Sequence, residues 1–378
     1  MSPKVPRLLQ LVQRQVLVGV PLPFGVRDAQ GTLLLAKGQV VADDAQLAEL
    51  MDRGVYVDAE DLQRLQQQAA AAKPARKLTL FDQWEQLIWQ LDRVLRSVAE
   101  PGLPERIAEL TEALRALQRR DPDIGIYLAM RQDGKRLSIY GLTHSLYAAM
   151  ACGLAASRLG WSEADTARIV SAALTMNLSI IELQGRLATQ GNRPTEAQFA
   201  RLRAHPQAAF EALAAGGITD TLWLDAVRQH HERHDGQGYP SGLTAPGELS
   251  VALRQADVLL AKISPRAERA PLPIQQAHRE LFADGGGGPF AAALIKEFGI
   301  YPPGDFVLLK SGELAVVVRR GATAMVPEVA VITDRHGTPI VGSPRRDPAR
   351  PEFAIVGPAP DKRLALRVSP ERFYGLPE

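Results

Sequence analysis

Apolar residues recur at helical spacing through the middle of the chain, from about Leu80 to Leu281. In the first such segment, FDQWEQLIWQLDRVLRSV, the large apolar side chains fall at i, i+3 and i+4 and therefore share one helix face. Several later segments begin at Ser or Thr with a carboxylate close behind, as helix N-termini do. The pattern predicts an all-α bundle whose later helices are PERIAELTEALRALQRR, THSLYAAMACGLAASRLG, SEADTARIVSAALTMNLSIIELQGRL, TEAQFARLRAHPQAAFEALAAGG, TDTLWLDAVRQHHERH and ELSVALRQADVLLAKIS.

The spacing of apolar residues changes at both ends of the chain. From Gln15 to about Asp58, short β-rich runs surround the helical pattern DDAQLAELMDRG, which predicts a compact β-rich module with a small helix. Near the other end, DFVLLKSGELAVVVRR and EVAVITDRHGTPI predict two hairpins. We therefore expect an α+β multidomain protein with a β-rich module in residues 1–62, a Gln- and Ala-rich linker in 63–78, a helical domain in 79–300 and a β-hairpin appendage in 301–378.

Composition narrows the class of protein without naming a partner. The chain has 378 residues, 46% of them hydrophobic and 23% charged, as in ordinary globular proteins. Its 44 basic residues are dispersed among 42 acidic ones, which argues against nucleic acid as a ligand. The single cysteine, Cys152, excludes an intramolecular disulfide, and no apolar run is long enough to span a membrane. We expect a cytoplasmic protein without a membrane span.

Histidines cluster in the helical block, where five of the chain's seven fall between residues 144 and 234. A neutral imidazole is the commonest transition-metal ligand in proteins, although a lone helical histidine is usually structural. The adjacent pair His230-His231 is more specific, because Glu232, Asp235 and a Gly-Gln-Gly-Tyr-Pro turn follow it directly. This run predicts metal-dependent chemistry.

The run HHERHDGQGYP, from His230 to Pro240, resembles the signature of HD-GYP domains. These are bacterial cyclic di-GMP phosphodiesterases, and the resemblance implies a helical HD-type fold and a metal-dependent site. It covers roughly Gly141 to Tyr301 and includes THS at His144, AHP at His205, QAD at Asp257 and GIYPPG from Gly299 to Gly304.

The defining His-Asp pair of the family is absent from this chain. In active relatives a helix carries that pair, followed by Gly-Lys, whereas the matching frame here is AALTMNLSI. Met176 stands in place of the histidine, Asn177 in place of the aspartate and Ile180 in place of the lysine. A neutral amide bridges two cations poorly, and a thioether has little affinity for Mn, Fe or Mg. We therefore expect no metal pair that could activate a water molecule.

Much of the rest of the resembling site is present. The resemblance implies a residual site for one Fe, Mn or Zn ion; alternatively, the same residues remain as hydrogen-bonded interior polar groups. Arg266 and Arg269 match arginines of the family and are expected to contact phosphate. The candidate metal ligands are His144, His205, His230, His231 and Asp257.

The turn after the histidine pair contains Gly236, Gly238, Tyr239 and Pro240. Its simplest explanation is a tight loop, because glycine permits positive φ and proline stiffens the chain. In some members of the resembling family this loop docks GGDEF-type signalling proteins, so the resemblance adds such a protein to the candidate partners. The N-terminal module contains no catalytic pattern and is expected to sense, to dock or to support a homodimer.

Three hypotheses for function remain open. In the first, a degenerate HD-GYP-like protein without catalytic activity binds cyclic di-GMP or a signalling partner. In the second, a reduced metal site still hydrolyses cyclic di-GMP or another phosphate compound. In the third, the protein is an interaction scaffold that binds neither nucleotide nor metal. Metal content and incubation with cyclic di-GMP distinguish the three.

Overall fold

The computed structural model describes residues 7–9, 15–54, 56–57, 61, 78–132, 134–284, 287–340, 342–359 and 370–374. The chain divides into two compact units, Met1–Leu78 and Thr79–Glu378. Residues 63–77 of the expected linker lie outside the described residues, as do 360–369 and 375–378 of the expected appendage. The three boundaries between the four segments set from the sequence stay predictions.

Among its described residues, the first unit contains a small antiparallel sheet and a ten-residue helix. Its core includes Phe24, Val26 and Leu50, which are almost fully buried. The helix begins where the side chain of Asp43 accepts a hydrogen bond from the backbone N–H of Gln46. The sheet order is β1-β4-β2-β3, with β1 (Arg7–Leu8), β2 (Val26–Arg27), β3 (Leu33–Leu35), α1 (Asp44–Arg53) and β4 (Tyr56–Val57) along the chain.

The second unit is a helical bundle built around one central helix. That helix, α5 (Tyr140–Arg158), is buried along nearly its whole length. Its own apolar residues lie on every face, as expected for a core helix. The described helices are α2 (Leu80–Arg96), α3 (Leu103–Arg120), α4 (Pro122–Met130), α5 (Tyr140–Arg158), α6 (Glu163–Thr175), α7 (Ile181–Thr189), α8 (Glu196–Ala215), α9 (Thr221–Gln229), α10 (Glu248–Ile263), α11 (Ile274–Asp284) and α12 (Pro289–Phe298). None of the described helices is long and apolar enough to cross a membrane.

Two of the predicted helices end earlier in the structure than the sequence pattern indicated. The segment predicted as one helix from Ser162 to Leu187 is broken, because α6 ends at Thr175 and the chain tightens into turns before α7. The helix predicted to run through His234 ends at Gln229, so the histidine pair lies at a helix C-terminus. Apolar spacing continues across the first break, and the polar run after Gln229 contains no Gly or Pro before Gly236, so the sequence marked neither helix end.

A five-stranded antiparallel sheet follows the bundle. The predicted hairpin through Ser311-Gly312 is present, whereas the predicted second return strand is limited to one bridge between Thr333 and Pro339. Arg320 ties the sheet to the bundle through the carboxylates of Asp123 and Glu297. The order is β8-β7-β6-β5-β9, with β5 (Phe306–Leu309), β6 (Leu314–Arg319), β7 (Glu328–Val331), β8 (Arg345–Arg346), β9 (Ile355–Pro358) and a last short helix, α13 (Pro370–Phe373).

Candidate metal and ligand site

His205 is oriented by the proline that follows it in α8. Pro206 has no N–H, so the carbonyl of Leu202 loses the donor that a regular helix would supply. The Nδ1–H of His205 takes that place and donates to Leu202 O at 2.5 Å. A carbonyl can only accept, so the hydrogen lies on Nδ1 and the Nε2 lone pair is free.

His230 is oriented by the end of α9. It is the C-cap residue, where the last carbonyls of a helix lack intrahelical donors. Its Nδ1–H donates to one of these, Val227 O, at 2.7 Å. This histidine therefore also presents a free Nε2 lone pair, and its side chain is fully buried.

The two free lone pairs face each other, and a third histidine joins them. His205 Nε2 and His230 Nε2 lie 3.2 Å apart with no hydrogen between them once both Nδ1 atoms donate to carbonyls. Ring nitrogens of His205, His230 and His231, here called the histidine cluster, all lie within 4.8 Å of one another. Two nitrogens on one tetrahedral zinc ion lie about 3.3 Å apart, given a Zn–N bond of about 2.0–2.1 Å. The residues therefore fit a single transition metal ion.

Electrostatics favour the neutral, ligating form of the histidine cluster. Burial, and after it the neighbouring His230, lowers the pKa of His205 to about 3. Burial likewise lowers the pKa of His230 and takes that of His231 well below its ordinary value. The three imidazoles are thus unprotonated at neutral pH, which is the state that binds a metal ion.

His144 and Asp257 form a separate hydrogen-bonded pair. The Nε2–H of His144, on α5, donates to Asp257 Oδ1, on α10, at 2.7 Å. Tyr140 OH accepts from Arg266 at 3.0 Å and donates to His144 Nδ1 at 3.2 Å, so the hydrogen of His144 lies on Nε2. Burial acts to raise the pKa of Asp257, but the hydrogen bond from His144 and the electrostatic effect of the neighbouring histidines outweigh it, and the pKa falls below its usual range.

Met176 and Asn177 lie in the turn between α6 and α7, and both are buried. Bonds from Leu178 N to Thr175 O and from Ile180 N to Asn177 O make this turn tighter than an α-helix. Ser179 Oγ donates to the carbonyl of His205 at 3.1 Å, which joins the turn to the histidine cluster. The Nδ2 of Asn177 has no hydrogen-bond partner among the described residues.

The two arginines predicted to contact phosphate differ in their surroundings. Arg266 contacts Tyr140 both by its hydrogen bond and across the ring face, 5.1 Å from the centroid. Arg269 is exposed, and its side chain donates to the carbonyl of Ala261 at 2.5 Å. Arg266 is thus linked through Tyr140 to the His144–Asp257 pair, whereas the side-chain hydrogen bond of Arg269 goes to a backbone carbonyl of α10.

The loop after the histidine pair folds back onto it. The carboxylate of Glu232 accepts hydrogen bonds from the backbone N–H of Ser241 at 2.6 Å and of Leu243 at 3.0 Å. Gly238 is required by close approach, because a Cβ there would lie 2.4 Å from Glu232 Cα. Tyr239 stacks on His231, with ring centroids 4.5 Å apart, while Pro240 is exposed. The loop therefore covers the histidine cluster with an aromatic ring.

Sequence reasoning missed Tyr140 and Arg254. Each lies one helical turn before a predicted ligand, Tyr140 before His144 and Arg254 before Asp257. That i, i+3 or i, i+4 spacing, which places two residues on one helix face, was the available signal.

Comparisons with known proteins agree with this arrangement of elements. A scan against models of known protein families finds no match. The chain is 34% identical over 149 residues to a cyclic di-GMP phosphodiesterase of Pseudomonas aeruginosa, a match that covers 37% of this chain and 36% of that protein. It is 28% identical over 199 residues to RpfG of Xanthomonas campestris, a cyclic di-GMP phosphodiesterase response regulator, covering 51% of this chain and 47% of RpfG. The chain thus spans less than half the length of these relatives.

A solved structure shares the fold. An HDGYP protein from Bdellovibrio bacteriovorus superposes with a TM-score of 0.52 over 77% of this chain and 98% of that one. Sequence identity over this match is 15%, so the likeness concerns the fold alone. It bears out the prediction of a helical HD-type bundle with accompanying β modules.

Proposed function

Because the chain belongs to the HD-GYP family, we propose that it binds cyclic di-GMP without hydrolysing it and holds one transition metal ion in the histidine cluster. The two relatives described above are named as cyclic di-GMP phosphodiesterases, which motivates the choice of ligand. The metal is an iron, manganese or zinc ion, the ions that imidazole ligands suit.

The single observation that carries the absence of hydrolysis is the burial of Met176 and Asn177 where the family has its His-Asp pair. A second cation beside the first would need an anionic bridge, and neither side chain carries charge. The next available carboxylate, Asp257, already accepts a hydrogen bond from His144. This arrangement supports one metal ion, whose role is to bind and orient an anionic ligand rather than to activate water in a metal pair.

Within this proposal, the chain's own residues have separate tasks. The histidine cluster holds the ion, and backbone carbonyls of Leu202 and Val227 hold two of its rings in register. Arg266, held against Tyr140, offers a guanidinium to a ligand phosphate. The ion, when bound, supplies positive charge for a phosphate oxygen.

The test uses purified protein loaded with Mn or Fe and incubated with cyclic di-GMP. We expect calorimetry to detect binding and chromatography to detect no product. The double substitution Met176→His/Asn177→Asp should raise the metal content to two ions and produce hydrolysis. Turnover by the unsubstituted protein, abolished by His230→Ala, would replace this proposal with the single-metal phosphodiesterase. Absence of both metal and binding would favour the scaffold.

Partner docking on the Gly236–Pro240 loop is a weaker proposal, because Tyr239 turns onto His231 and leaves Gln237 and Pro240 as the exposed residues of the loop. A GGDEF-type partner would have to recognise that exposed edge. We also propose a cytoplasmic location, which cyclic di-GMP signalling implies. Cys152 is buried, and burial raises the pKa of its thiol.

A further inference from the structure

Two arginines without carboxylate partners lie beside the histidine cluster. Arg254 is half-buried on α10, three residues before Asp257 and therefore on nearly the same helix face. Among the residues that the structure describes, its guanidinium forms neither a hydrogen bond nor an ion pair. Arg203 is exposed on α8, two residues before His205, and its guanidinium carbon lies 5.7 Å from the ring centroid of Tyr239.

Among the described residues, the surroundings of Arg254 leave its charge without a bonded partner. Burial lowers the pKa of Arg254, and the nearby positive charge of Arg233 lowers it further. The carboxylates of Asp257, Asp284 and Asp235 act in the opposite direction, but each already pairs with another side chain: Asp257 with His144, Asp284 with Lys262 and Asp235 with Arg233. A half-buried charge without a hydrogen-bonding partner reduces the stability of the folded state. An anionic ligand would provide the missing partner.

Both arginines converge on Tyr239, the residue that covers the histidine cluster. Burial raises the pKa of the Tyr239 phenol, while the charges of Arg203 and Arg254 act to lower it, so both lie within electrostatic reach of the ring. The charge of Arg254 also acts on His231, beneath that ring. The two cations, on different helices, therefore both act on Tyr239, and Arg254 acts on His231 as well.

We propose that Arg203 and Arg254, here called the arginine rim, bind the phosphodiester groups of a nucleotide ligand at the edge of the histidine cluster. This inference rests on the proposed function for the identity of the ligand, and it assigns phosphate recognition to two residues outside those that the family resemblance identified. Guanidinium groups suit this task because they donate two parallel hydrogen bonds to phosphate oxygens.

The experiment compares Arg254→Gln, Arg203→Gln/Arg254→Gln and the unsubstituted protein. Arg119→Gln is the control: it removes the same charge from an exposed arginine on α3 that pairs with Glu112. Calorimetry with cyclic di-GMP should show affinity about tenfold to a hundredfold weaker for Arg254→Gln, the usual range for a lost hydrogen bond to a charged group, and weaker again for the double variant. Thermal denaturation with inorganic pyrophosphate should show the same order of lost stabilisation.

Denaturation without ligand separates binding from a structural role. An arginine that holds the fold together would lower the melting temperature when replaced, whereas Arg254→Gln should leave it unchanged or raise it. A lower melting temperature, or unchanged affinity for both ligands, overturns the arginine rim while leaving the proposed function standing. Loss of pyrophosphate binding by Arg254→Gln in a protein that ignores cyclic di-GMP supports the rim and overturns the proposed ligand. No stabilisation of the unsubstituted protein by either compound overturns both.

Discussion

Tyr239 lies against His231, with ring centroids 4.5 Å apart and ring planes 26° from parallel. The contact joins the loop to the histidine cluster, since the backbone N–H of Tyr239 also donates to the carbonyl of His231 at 3.3 Å. A change in the position of this loop must therefore change the packing around one of the three candidate metal ligands. The loop and the metal site form one structural unit.

Replacing Gly238 should disturb that unit more than its small size suggests. A Cβ at this position would lie 2.4 Å from Glu232 Cα and 2.5 Å from Arg233 N, and these backbone atoms cannot rotate away. Gly238→Ala is expected to lower the free energy of unfolding by about 1–3 kcal/mol, the cost of overpacking, measured by urea denaturation. Gly191→Ala is the control, because a Cβ there meets nothing within 4 Å. Equal effects of the two substitutions would contradict the close approach.

Metal content should depend on His230 and not on His144. His230→Ala removes one of three converging nitrogens, so elemental analysis of the purified variant should detect little bound metal. His144→Ala leaves the histidine cluster intact and should retain the ion. Equal loss of metal in both variants would mean that the His144–Asp257 pair also ligates the ion. His336→Ala, at an exposed turn, is the control that gives the baseline metal content.

His278 on α11 should make the stability of the protein depend on pH. Burial lowers its pKa from an ordinary 6.5 to about 4, and its Nε2 has no hydrogen-bond partner among the described residues. The unfolded chain binds this proton at higher pH than the folded one, so stability is full above about pH 6.5 and falls as the pH drops toward 4. The maximum loss is about 3 kcal/mol, from about 1.4 kcal/mol per pKa unit.

His278→Leu should flatten this part of the stability curve, measured by urea denaturation at several pH values between 7 and 4. His336→Leu, which changes an exposed histidine, should leave the curve as it is in the unsubstituted protein. If the His278→Leu and unsubstituted curves stay parallel, the pKa of His278 in the folded state is not lowered.

Arg320 should be needed to attach the C-terminal sheet to the bundle. Its guanidinium bonds to Asp123 and Glu297, and Glu297 is 9% exposed, so Arg320→Met leaves two carboxylates close together with less compensating charge. We expect a loss of roughly 2–4 kcal/mol in the free energy of unfolding, somewhat below the usual cost of breaking a fully buried ion pair because Arg320 retains some exposure. Arg119→Met, at an exposed pair, should change it by less than about 0.5 kcal/mol. A small effect of Arg320→Met would mean that the other contacts, among them the Arg319–Asp121 ion pair, are enough to hold the sheet.

Local patterns in the sequence predicted what depends on neighbouring residues. Adjacent histidines followed by a glycine-rich turn predicted a histidine cluster, and apolar spacing predicted the helical bundle. Each of these patterns spans only a few neighbouring residues, so it can be recognised in the sequence. The break after Thr175 was missed because Leu178, Ile180 and Ile181 continue the helical spacing. The turn that follows makes a tertiary contact, from Ser179 to the carbonyl of His205, and no local pattern reports it.

The arginine rim shows a second limit. A lone arginine on a helix is usually a solvated surface residue, and spacing from Asp257 alone does not distinguish Arg254 from such a residue. Its significance comes from its electrostatic effect on Tyr239 and His231, which belong to the preceding loop. The replacement of the family's His-Asp pair by Met176 and Asn177 could be recognised from the sequence, because those two positions are defined by a short local motif.

Pro206 gives the histidine before it a direction. By withholding one backbone hydrogen, it leaves an acceptor that only the Nδ1 of His205 can fill, and so it selects the ring nitrogen that faces the centre of the site. Helix backbone and imidazole chemistry are thus coupled by a single absent atom. A His-Pro pair inside a helix accordingly indicates, before any coordinates are known, which tautomer the histidine adopts and which of its nitrogens remains available as a ligand.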